Sequence, residues 1–343
     1  MGQKLNEIMK SVNKRFGEEI ISQGIGEFDY RKIPFTSPRM NYCTYGGIPI
    51  GKLTEFFGEE HGGKTTTALD VVANYQRSDD NRDVLYVDAE NRLDKDWAVK
   101  LGVDVDRLLI LQPKGQSAEE IFQIIEDAVD TGEIGLWVLD SVGALVSDME
   151  LDEKRTYEDK VYGGISLPMT RFVKKITMFM HRHDCTGLII NQIRENLNSP
   201  YGGITTPGGK ALKHHCACRF QFARGKYIDE KGNELNKSAS EPFGNIVLMS
   251  MVKNSTCPPS HRTGQYTLRY DDGVDYLSDL VDVAIKFDVI VKSGSWFDIV
   301  DTENGDILPG KIHGLANVYE YLREHEDVLT IVENIVNKEM KKS

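Results

Sequence analysis

A short glycine-rich segment constrains the fold of this sequence more than any other feature. Residues 56–70 read FFGEEHGGKTTTALD, and Gly58, Gly63, Lys64 and Thr65 fit the pattern G-x-x-x-x-G-K-[ST]. An apolar run, LTEFF, precedes the segment, and a helical pattern, TTTALDVVANYQR, follows it. A strand, a glycine loop and a helix in this order predict an α/β domain whose loop N–H groups hold the phosphates of a nucleotide.

The loop and the first turn of the following helix are expected to act together on ATP. In a loop of this type the Lys64 ammonium neutralises the β- and γ-phosphate oxygens, and the Thr65 hydroxyl binds Mg²⁺. The predicted phosphate-binding residues are Gly58, Glu59, Glu60, His61, Gly62, Gly63, Lys64, Thr65 and Thr66.

Beyond this loop, apolar runs alternate with helical patterns. Continuous apolar strands between helices indicate a mostly parallel sheet that is covered on both faces. Three closely spaced apolar segments further along predict strands added to that sheet. The predicted buried strands are VLYVD (84–88), LWVLD (136–140) and GLIIN (187–191), the helices are SAEEIFQIIEDAVDTG and TRFVKKITMFMHRH, and the added strands are CRFQF, IVLMSMV and YTLRY.

Both ends of the chain differ from this alternating pattern. Residues 4–16 place Leu5, Ile8, Met9 and Val12 at helical spacing, which predicts an amphipathic helix whose apolar face needs a partner such as a neighbouring subunit. A new mixture of helical and apolar segments begins at about residue 276. The predicted parts are an N-terminal oligomerisation arm (1–35), a core (36–275) and a small α/β C-terminal domain (276–343).

Composition favours a soluble globular protein of the cytoplasm, without a membrane partner. Of the 343 residues, 40% are hydrophobic and 27% are charged, and no apolar run approaches the roughly 20 residues that span a bilayer. The first residues, MGQKLNEIMKSVNKRF, lack the apolar region of a secretory signal. Five cysteines in a long chain favour a reducing compartment.

The charge distribution leaves two interpretations open. A net charge of −12 argues against a nucleic-acid partner for the chain as a whole. Residues 194–226 nevertheless contain six Lys/Arg and one acid, and residues 170–183 contain four Lys/Arg and no acid. These segments form either a polyanion-binding face or ordinary solvated surface.

Polar residues at the ends of two predicted strands are candidates for catalysis. Asp140 ends the strand LWVLD, where it either holds the water shell of Mg²⁺ or simply caps the strand. The stretch YVDAENRLD offers Asp88, Glu90 and Asp94 at and just after the end of the strand VLYVD. One of these three carboxylates could deprotonate an attacking water, but their spacing does not say which. Trp97 either stacks on the nucleotide base or belongs to the core.

Gln192 ends the strand GLIIN and adjoins a long irregular segment. This segment, residues 195–209, holds four glycines and two prolines in fifteen residues. Long irregular loops in a compact domain are usually functional or disordered. A side-chain amide at this junction could sense the terminal phosphate and transmit the signal to the loop.

Several motifs in one order resemble the bacterial RecA family of homologous-recombination ATPases. The resemblance extends from about residue 10 to residue 325. It implies an α/β fold with a RecA-type P-loop ATPase core, a short N-terminal helical arm and a small C-terminal domain. The motifs are VNKRFG, GGIPIGKLTEFFGEEHGGKTT, VDAENRLDKDWAVKLGVDVDRLL, LDS at 139–141, INQIR, GGKALK, VKN at 252–254 and GSWF at 294–297.

The resemblance implies roles for individual residues at the nucleotide. Glu90 takes the place of the carboxylate that activates water, and Gln192 takes the place of the γ-phosphate sensor. Lys253 matches one of two lysines that reach across a subunit interface to the phosphates. With Lys64, these are the implied catalytic residues.

Three further residues are implied to contact the base. Asp94 stands where the family contacts the adenine amino group, and Trp97 replaces the family's stacking tyrosine. Tyr270, in LRYDDG, matches an aromatic residue that meets the base from the neighbouring subunit.

Two segments are implied to bind DNA. Residues 150–166 and 195–209 correspond to the two DNA-binding loops of the family, and Tyr201 takes the place of an aromatic residue in the second. The implied DNA-binding residues are Lys175, Arg194, Leu197, Tyr201, Gly208, Gly209 and Lys210.

The sequence departs from the family pattern at several positions. The second interface lysine is Ser255 here, and Arg262 is the candidate to supply the missing charge. Pro168 replaces an arginine of the first loop, and His214 replaces the aromatic residue after GGKALK. The last residues, KEMKKS, lack the acidic tail common in bacterial members. These departures indicate a divergent member of the kind that a phage or plasmid encodes.

The implied function is that of a DNA-dependent ATPase in recombination and repair. Such a protein forms helical filaments on single-stranded DNA and pairs it with homologous duplex DNA. Single-strand-binding protein and loader proteins are further expected partners. Two other classes stay open: a replicative helicase with the same core fold, which forms closed rings, and a mediator that binds ATP and recombinases without hydrolysis.

Overall fold

The computed structural model describes residues 3–16, 31–152, 154, 163–195, 203–236, 238–258, 261–301, 305 and 307–342. The chain divides into two compact units, Met1–Arg31 and Lys32–Ser343. In the first unit, Gln3–Phe16 form helix α1, which confirms the helix predicted over residues 4–16. Leu5 and Ile8 are exposed on this helix.

The second unit contains the central sheet. Its helices are α2 (Pro38–Thr44), α3 (Lys64–Gln76), α4 (Lys95–Lys100), α5 (Ala118–Asp130), α6 (Asp148–Leu151), α7 (Ser166–His183), α8 (Gly209–His215), α9 (Tyr276–Lys286), α10 (Leu315–Glu324) and α11 (Glu326–Lys342). Its strands are β1 (Lys32–Ile33), β2 (Ile48–Pro49), β3 (Leu53–Gly58), β4 (Asp83–Asp88), β5 (Leu108–Leu111), β6 (Ile134–Asp140), β7 (Thr186–Gln192), β8 (Arg194–Glu195), β9 (Ile204–Thr205), β10 (Cys218–Ile228), β11 (Glu234–Leu235), β12 (Gly244–Asn254), β13 (Thr263–Arg269), β14 (Gly273–Val274), β15 (Ile290–Ser293), β16 (Trp296–Val300) and β17 (Ile307–His313).

The central sheet is parallel through most of its width. Its strand order is β14-β13-β12-β10-β3-β7-β6-β4-β5, and β11 pairs with β10. The strands from β10 to β5 run parallel to their neighbours. The added strands β12, β13 and β14 continue the sheet antiparallel beyond β10, which confirms the predicted extension. Because β10 pairs directly with β3, this extension lies beside the strand that leads into the glycine loop.

Helices cover both faces of the sheet, as its continuous apolar strands require. On one face, Leu69 and Val72 of α3 pack into a core with Phe56 and Tyr86 of the sheet. On the other face, α5 and α7 pack over β6, and the rings of Phe122 and Phe172 stack with centroids 4.3 Å apart. No helix in the described residues is long and apolar enough to cross a membrane.

The C-terminal residues have a core of their own. Helices α9, α10 and α11 pack with the antiparallel sheet β15-β16-β17 around buried residues such as Leu280, Phe297 and Val332. Strand β17 was not predicted. The predicted fold class, a mostly parallel α/β core with a small α/β C-terminal part, is confirmed. The exact domain boundaries at residues 35 and 275 stay predictions.

Candidate nucleotide-binding site

The glycine loop joins β3 to α3 at the carboxyl edge of the parallel strands. Gly58 ends β3, and a side chain there would overlap the carbonyl oxygen of Phe222 on the neighbouring β10. Gly63 precedes α3 with φ of 88°, and a Cβ at this position would lie 2.9 Å from both methyl groups of Val247. Both positions therefore require glycine, and α3 begins directly after Gly63, where the first N–H groups of the helix have no partner within it.

Lys64 lies folded over this loop. Its side chain is buried, and Nζ donates hydrogen bonds to the carbonyl oxygens of Gly58 (3.2 Å) and Glu59 (2.6 Å). Burial lowers the pKa of Lys64, while the charges of Asp140, Glu90 and other nearby carboxylates oppose this shift. The ammonium is thus already directed at the loop that would hold the phosphates.

Thr65 and Asp140 form the second part of the phosphate end. The Thr65 hydroxyl donates to Asp140 Oδ2 over 2.7 Å, and the Tyr86 hydroxyl donates to the same oxygen over 2.9 Å. Burial raises the pKa of Asp140, and these two hydrogen bonds counteract the shift. A hydroxyl next to a carboxylate at the end of a phosphate loop is an oxygen set that fits Mg²⁺.

The structure distinguishes the three candidate carboxylates after β4. Asp88 is buried and accepts the backbone N–H groups of Arg92 (3.0 Å) and Leu93 (3.1 Å). Asp94 caps helix α4 by accepting the Trp97 N–H over 3.1 Å. The Glu90 carboxylate lines the cavity and is held by side chains from two other strand ends: Oε1 accepts from Ser141 Oγ (2.6 Å) and from Gln192 Nε2 (3.0 Å).

A cavity of about 470 Å³, a size typical of ligand sites, lies against the glycine loop from Glu60 to Thr66. Its phosphate end includes Lys64, Thr65, Asp140, Glu90 and Gln192. Its lining also includes Arg224 of β10, Asn245 of β12, Leu268 of β13 and Tyr270, which follows β13. The sequence analysis missed the first three, because only strand pairing places them beside the glycine loop.

Of the three residues predicted to contact the base, only Tyr270 lines the cavity. Tyr270 lines the cavity of its own chain, where its hydroxyl donates to Asn245 Oδ1 over 2.9 Å. Because β13 lies on the same sheet as the glycine loop, this position favours a contact with the nucleotide of its own chain. The expected contact with the base from a neighbouring subunit stays a prediction. Trp97 is half-buried against the core and its Nε1 lies 3.4 Å from Thr66 Oγ1. Trp97 and Asp94 are not among the residues that line the cavity.

Comparison with known proteins decides the family. Residues 3–275 match the RecA N-terminal domain, and residues 278–341 match the RecA C-terminal domain. The chain belongs to the RecA family. The protein RecA of Aquifex pyrophilus is 34% identical over 338 residues, which are 97% of this chain and 91% of that protein. The protein RecA of Thermus aquaticus is 34% identical over 330 residues, covering 95% of this chain and 91% of that protein. The protein RecA of Ruminococcus albus is 31% identical over 328 residues, covering 94% and 77%.

Membership in the RecA family confirms the predicted class of activity. The chain is a RecA-type recombinase and a DNA-dependent ATPase. Filament formation and strand exchange are typical of the RecA family, as are DNA binding and ATP hydrolysis with Mg²⁺. The predicted phage or plasmid origin and the cytoplasmic location stay predictions, as do the single-strand-binding and loader partners.

The segment predicted to be the second DNA-binding loop, residues 195–209, is partly described. Arg194 and Glu195 form β8, which pairs with Ile204 and Thr205 of β9, so a two-stranded ribbon continues directly from β7. Leu197 and Tyr201 lie outside the described residues. Gly208 and Gly209 have φ of 90° and 75° at the start of α8, and Lys210 is exposed in its first turn. Of the first loop, residues 153 and 155–162 also lie outside the described residues.

Lys175, a predicted DNA contact, and Lys253, a predicted interface lysine, have partners elsewhere in the fold. Lys175 is ion-paired with Glu126 of α5, in a groove between α5 and α7 whose described lining contains no residue of the second loop. The DNA-binding role of Lys175 stays a prediction. Lys253 Nζ donates to the carbonyl oxygens of Lys213 (3.1 Å) and His214 (2.8 Å) at the end of α8. Lys253 does not line the cavity of its own chain, and its interface role stays a prediction.

Proposed function

We propose that the cavity beside α3 binds ATP and Mg²⁺ and that its occupation controls the grip of the second loop on single-stranded DNA. The observation that carries this proposal is the hydrogen bond from Gln192 to Glu90, 3.0 Å long, which joins the hydrolytic end of the cavity to the strand that continues into the loop. Gln192 thus contacts the proposed general base through its side chain and precedes β8, the start of the second loop, by two residues in the chain.

The roles at the phosphate end follow from the contacts described. Backbone N–H groups of residues 58–66 and the Lys64 ammonium bind the phosphates, while Thr65 and Asp140 hold Mg²⁺. The bound metal supplies charge neutralisation at the terminal phosphate. Glu90 acts as the general base, because its carboxylate faces the cavity and is held by Ser141.

The base end is formed by the antiparallel extension of the sheet. Tyr270 is exposed enough to offer its ring to a ligand, and Asn245 fixes its hydroxyl. Aromatic rings contribute stacking and apolar area to base recognition. We propose that Tyr270 contacts the adenine of the nucleotide bound to its own chain. We also propose that Trp97 holds the Thr66 side chain in position through the contact of its Nε1 with Thr66 Oγ1.

The connection from cavity to DNA runs through two neighbouring residues. Gln192 contacts Glu90, and the adjacent Asn191 donates to the carbonyl oxygen of Pro207 (2.9 Å), on the far side of the second loop. A change at Gln192 is therefore transmitted to both ends of the loop. Arg194, Gly208, Gly209 and Lys210 are the described residues that we propose to contact the DNA backbone, and such contacts leave sequence recognition to base pairing.

Electron microscopy tests this function against its alternatives. The purified chain is imaged with single-stranded DNA and a slowly hydrolysed ATP analogue, and ATP turnover is measured with and without the DNA. Open helical filaments and DNA-stimulated turnover are expected. Closed rings would instead indicate a helicase, and absent turnover would indicate a mediator. Lys64→Ala is expected to abolish nucleotide binding, and normal strand exchange by this variant would refute the assigned site.

A further inference from the structure

Arg92 is a cation of the cavity that the sequence motifs do not assign. It follows Glu90 by two residues in the turn after β4, and its backbone N–H is anchored on Asp88 Oδ1 at 3.0 Å. Its Nη1 lies 3.2 Å from Glu90 Oε2 and 3.6 Å from Glu60 Oε1. The backbone is thus fixed by a buried carboxylate, whereas the side chain is 70% exposed.

The two partners of Arg92 locate its guanidinium at the phosphate end. Glu60 belongs to the glycine loop, and Glu90 is bound by Ser141 and Gln192 on the other side of the cavity. The guanidinium therefore lies between the loop and the proposed general base. The third cation of the lining, Arg224, lies with Tyr227 at the base end, with its guanidinium 5.1 Å from the ring centroid.

The charges at the phosphate end favour the transfer of the Arg92 guanidinium from its carboxylate partners to a bound phosphate. Glu60, Asp88, Glu90 and Asp140 line the cavity together with the cations Lys64 and Arg92, and Arg92 pairs with two of these acids. A triphosphate carries more charge than one carboxylate and offers several oxygens to a planar guanidinium. The pair with Glu60 joins two exposed side chains and contributes only about 0–1 kcal/mol, so Arg92 leaves Glu60 at little cost. The Glu90 side chain is 20% exposed and keeps the hydrogen bonds from Ser141 and Gln192 when Arg92 moves away.

We propose that Arg92 is a catalytic residue that leaves Glu90 and Glu60 to bind the terminal phosphate of ATP during hydrolysis. This inference rests on the proposed function of the cavity. The guanidinium stabilises the charge that accumulates on the transferred phosphoryl group, and it exchanges no proton.

The same movement frees the general base. Glu90 Oε1 stays held by Ser141 and Gln192, while Oε2 loses its cation and becomes available to a water molecule. Glu90 then accepts a proton from that water as the water oxygen bonds to the terminal phosphorus. The bond to the bridging oxygen breaks, and ADP and inorganic phosphate leave.

Variants of Arg92 test the proposal with readouts that separate the terminal phosphate from the rest of the nucleotide. Arg92→Ala is expected to bind ADP within about twofold of the wild type, because ADP lacks the group that Arg92 contacts. Its kcat and its affinity for ADP with aluminium fluoride, which mimics the transferred group, are each expected to fall at least about tenfold. Arg92→Lys keeps the charge without the planar fork and is expected to recover part of the loss.

The controls make each outcome decisive. Arg323→Ala removes an exposed arginine of α10 and is expected to match the wild type throughout. An unchanged or increased kcat in Arg92→Ala, with wild-type affinity for the fluoride complex, would overturn the proposal and leave Arg92 as a surface residue or a restraint on Glu90. A wild type without ATP turnover would refute the function of the cavity instead. If the wild type hydrolyses ATP, Glu90→Gln does not and Arg92→Ala is fully active, the function of the cavity stands and only the role of Arg92 is refuted.

Discussion

Gln192 Nε2 lies 3.0 Å from Glu90 Oε1, although 102 residues separate them in the sequence. The contact exists because β4 and β7 lie on either side of β6, all three parallel, so that their carboxyl ends meet at one edge. Beyond Gln192 the chain enters the ribbon of β8 and β9. One hydrogen bond therefore joins the proposed general base to the proposed DNA-binding loop.

Replacing Gln192 is expected to remove the stimulation of ATP hydrolysis by single-stranded DNA. Gln192→Ala removes the amide while leaving Lys64, Thr65 and Asp140 in place, so we expect nucleotide affinity within about threefold of the wild type. DNA-stimulated turnover should fall at least about tenfold, to the rate without DNA. The measurements are ATP turnover with and without single-stranded DNA and anisotropy of a labelled oligonucleotide. Full stimulation in the variant would contradict the proposed connection.

The ion pair between Arg219 and Glu55 is expected to matter for stability. Glu55 is fully buried, accepts from Arg219 Nε, and also accepts from Asn191 Nδ2 over 3.0 Å. Arg219→Ala leaves a buried carboxylate without its cation, which typically destabilises a fold by about 3–5 kcal/mol. Urea unfolding measures this loss. Lys342→Ala, which breaks the exposed pair with Glu339, is the control and should change the unfolding free energy by less than about 0.5 kcal/mol. Equal effects of the two variants would contradict the prediction.

Asp279 is expected to make stability depend on pH. Burial raises its pKa from 3.8 to about 7, partly opposed by the Ser37 hydroxyl and by the charge of Arg39. The folded chain then holds a proton that the unfolded chain has released between pH 4 and 7, so this group lowers stability as pH rises through that window. The full effect is roughly 4 kcal/mol at most.

Asp279→Asn removes this titration and keeps the shape of the side chain. We expect the variant to gain stability relative to the wild type at pH 8 and to lose that advantage at pH 4. Urea unfolding at both pH values gives the difference directly. The comparison isolates Asp279 because the neighbouring Asp282, which also pairs with Arg39 (2.7 Å), is unchanged. A constant difference at the two pH values would disprove the assignment.

Tyr270 is expected to contribute to nucleotide affinity mainly through its ring. Tyr270→Phe loses only the hydrogen bond to Asn245, so we expect a two- to tenfold weaker affinity for ATP, about the effect of one such bond. Tyr270→Ala removes the ring as well and is expected to weaken affinity further, by about another tenfold. Titration with a fluorescent ATP analogue measures both. A Phe variant as weak as the Ala variant would show that the hydroxyl, not the ring, carries the contact.

The accuracy of the sequence predictions depended on how local each feature is. The glycine loop, α1, the buried strands and the added strands were predicted, because periodicity and turn residues act over a few neighbours. Spacing could not rank the candidate acids, since Asp88 ends β4 and Glu90 and Asp94 follow it within six residues. Lys175 seemed equivalent to the other basic residues until the packing of α7 on α5 paired it with Glu126.

The sequence alone determined the phosphate loop, because its working atoms belong to consecutive residues and its glycines are required by the backbone itself. It also determined the family, through several motifs in order. Only the tertiary structure decided that Glu90, Ser141, Gln192 and Arg92 meet, and that Asn245 and Tyr270 face the loop. The physical reason is strand pairing: the order and direction of strands in a sheet bring distant chain segments to one edge, and no local pattern encodes that order.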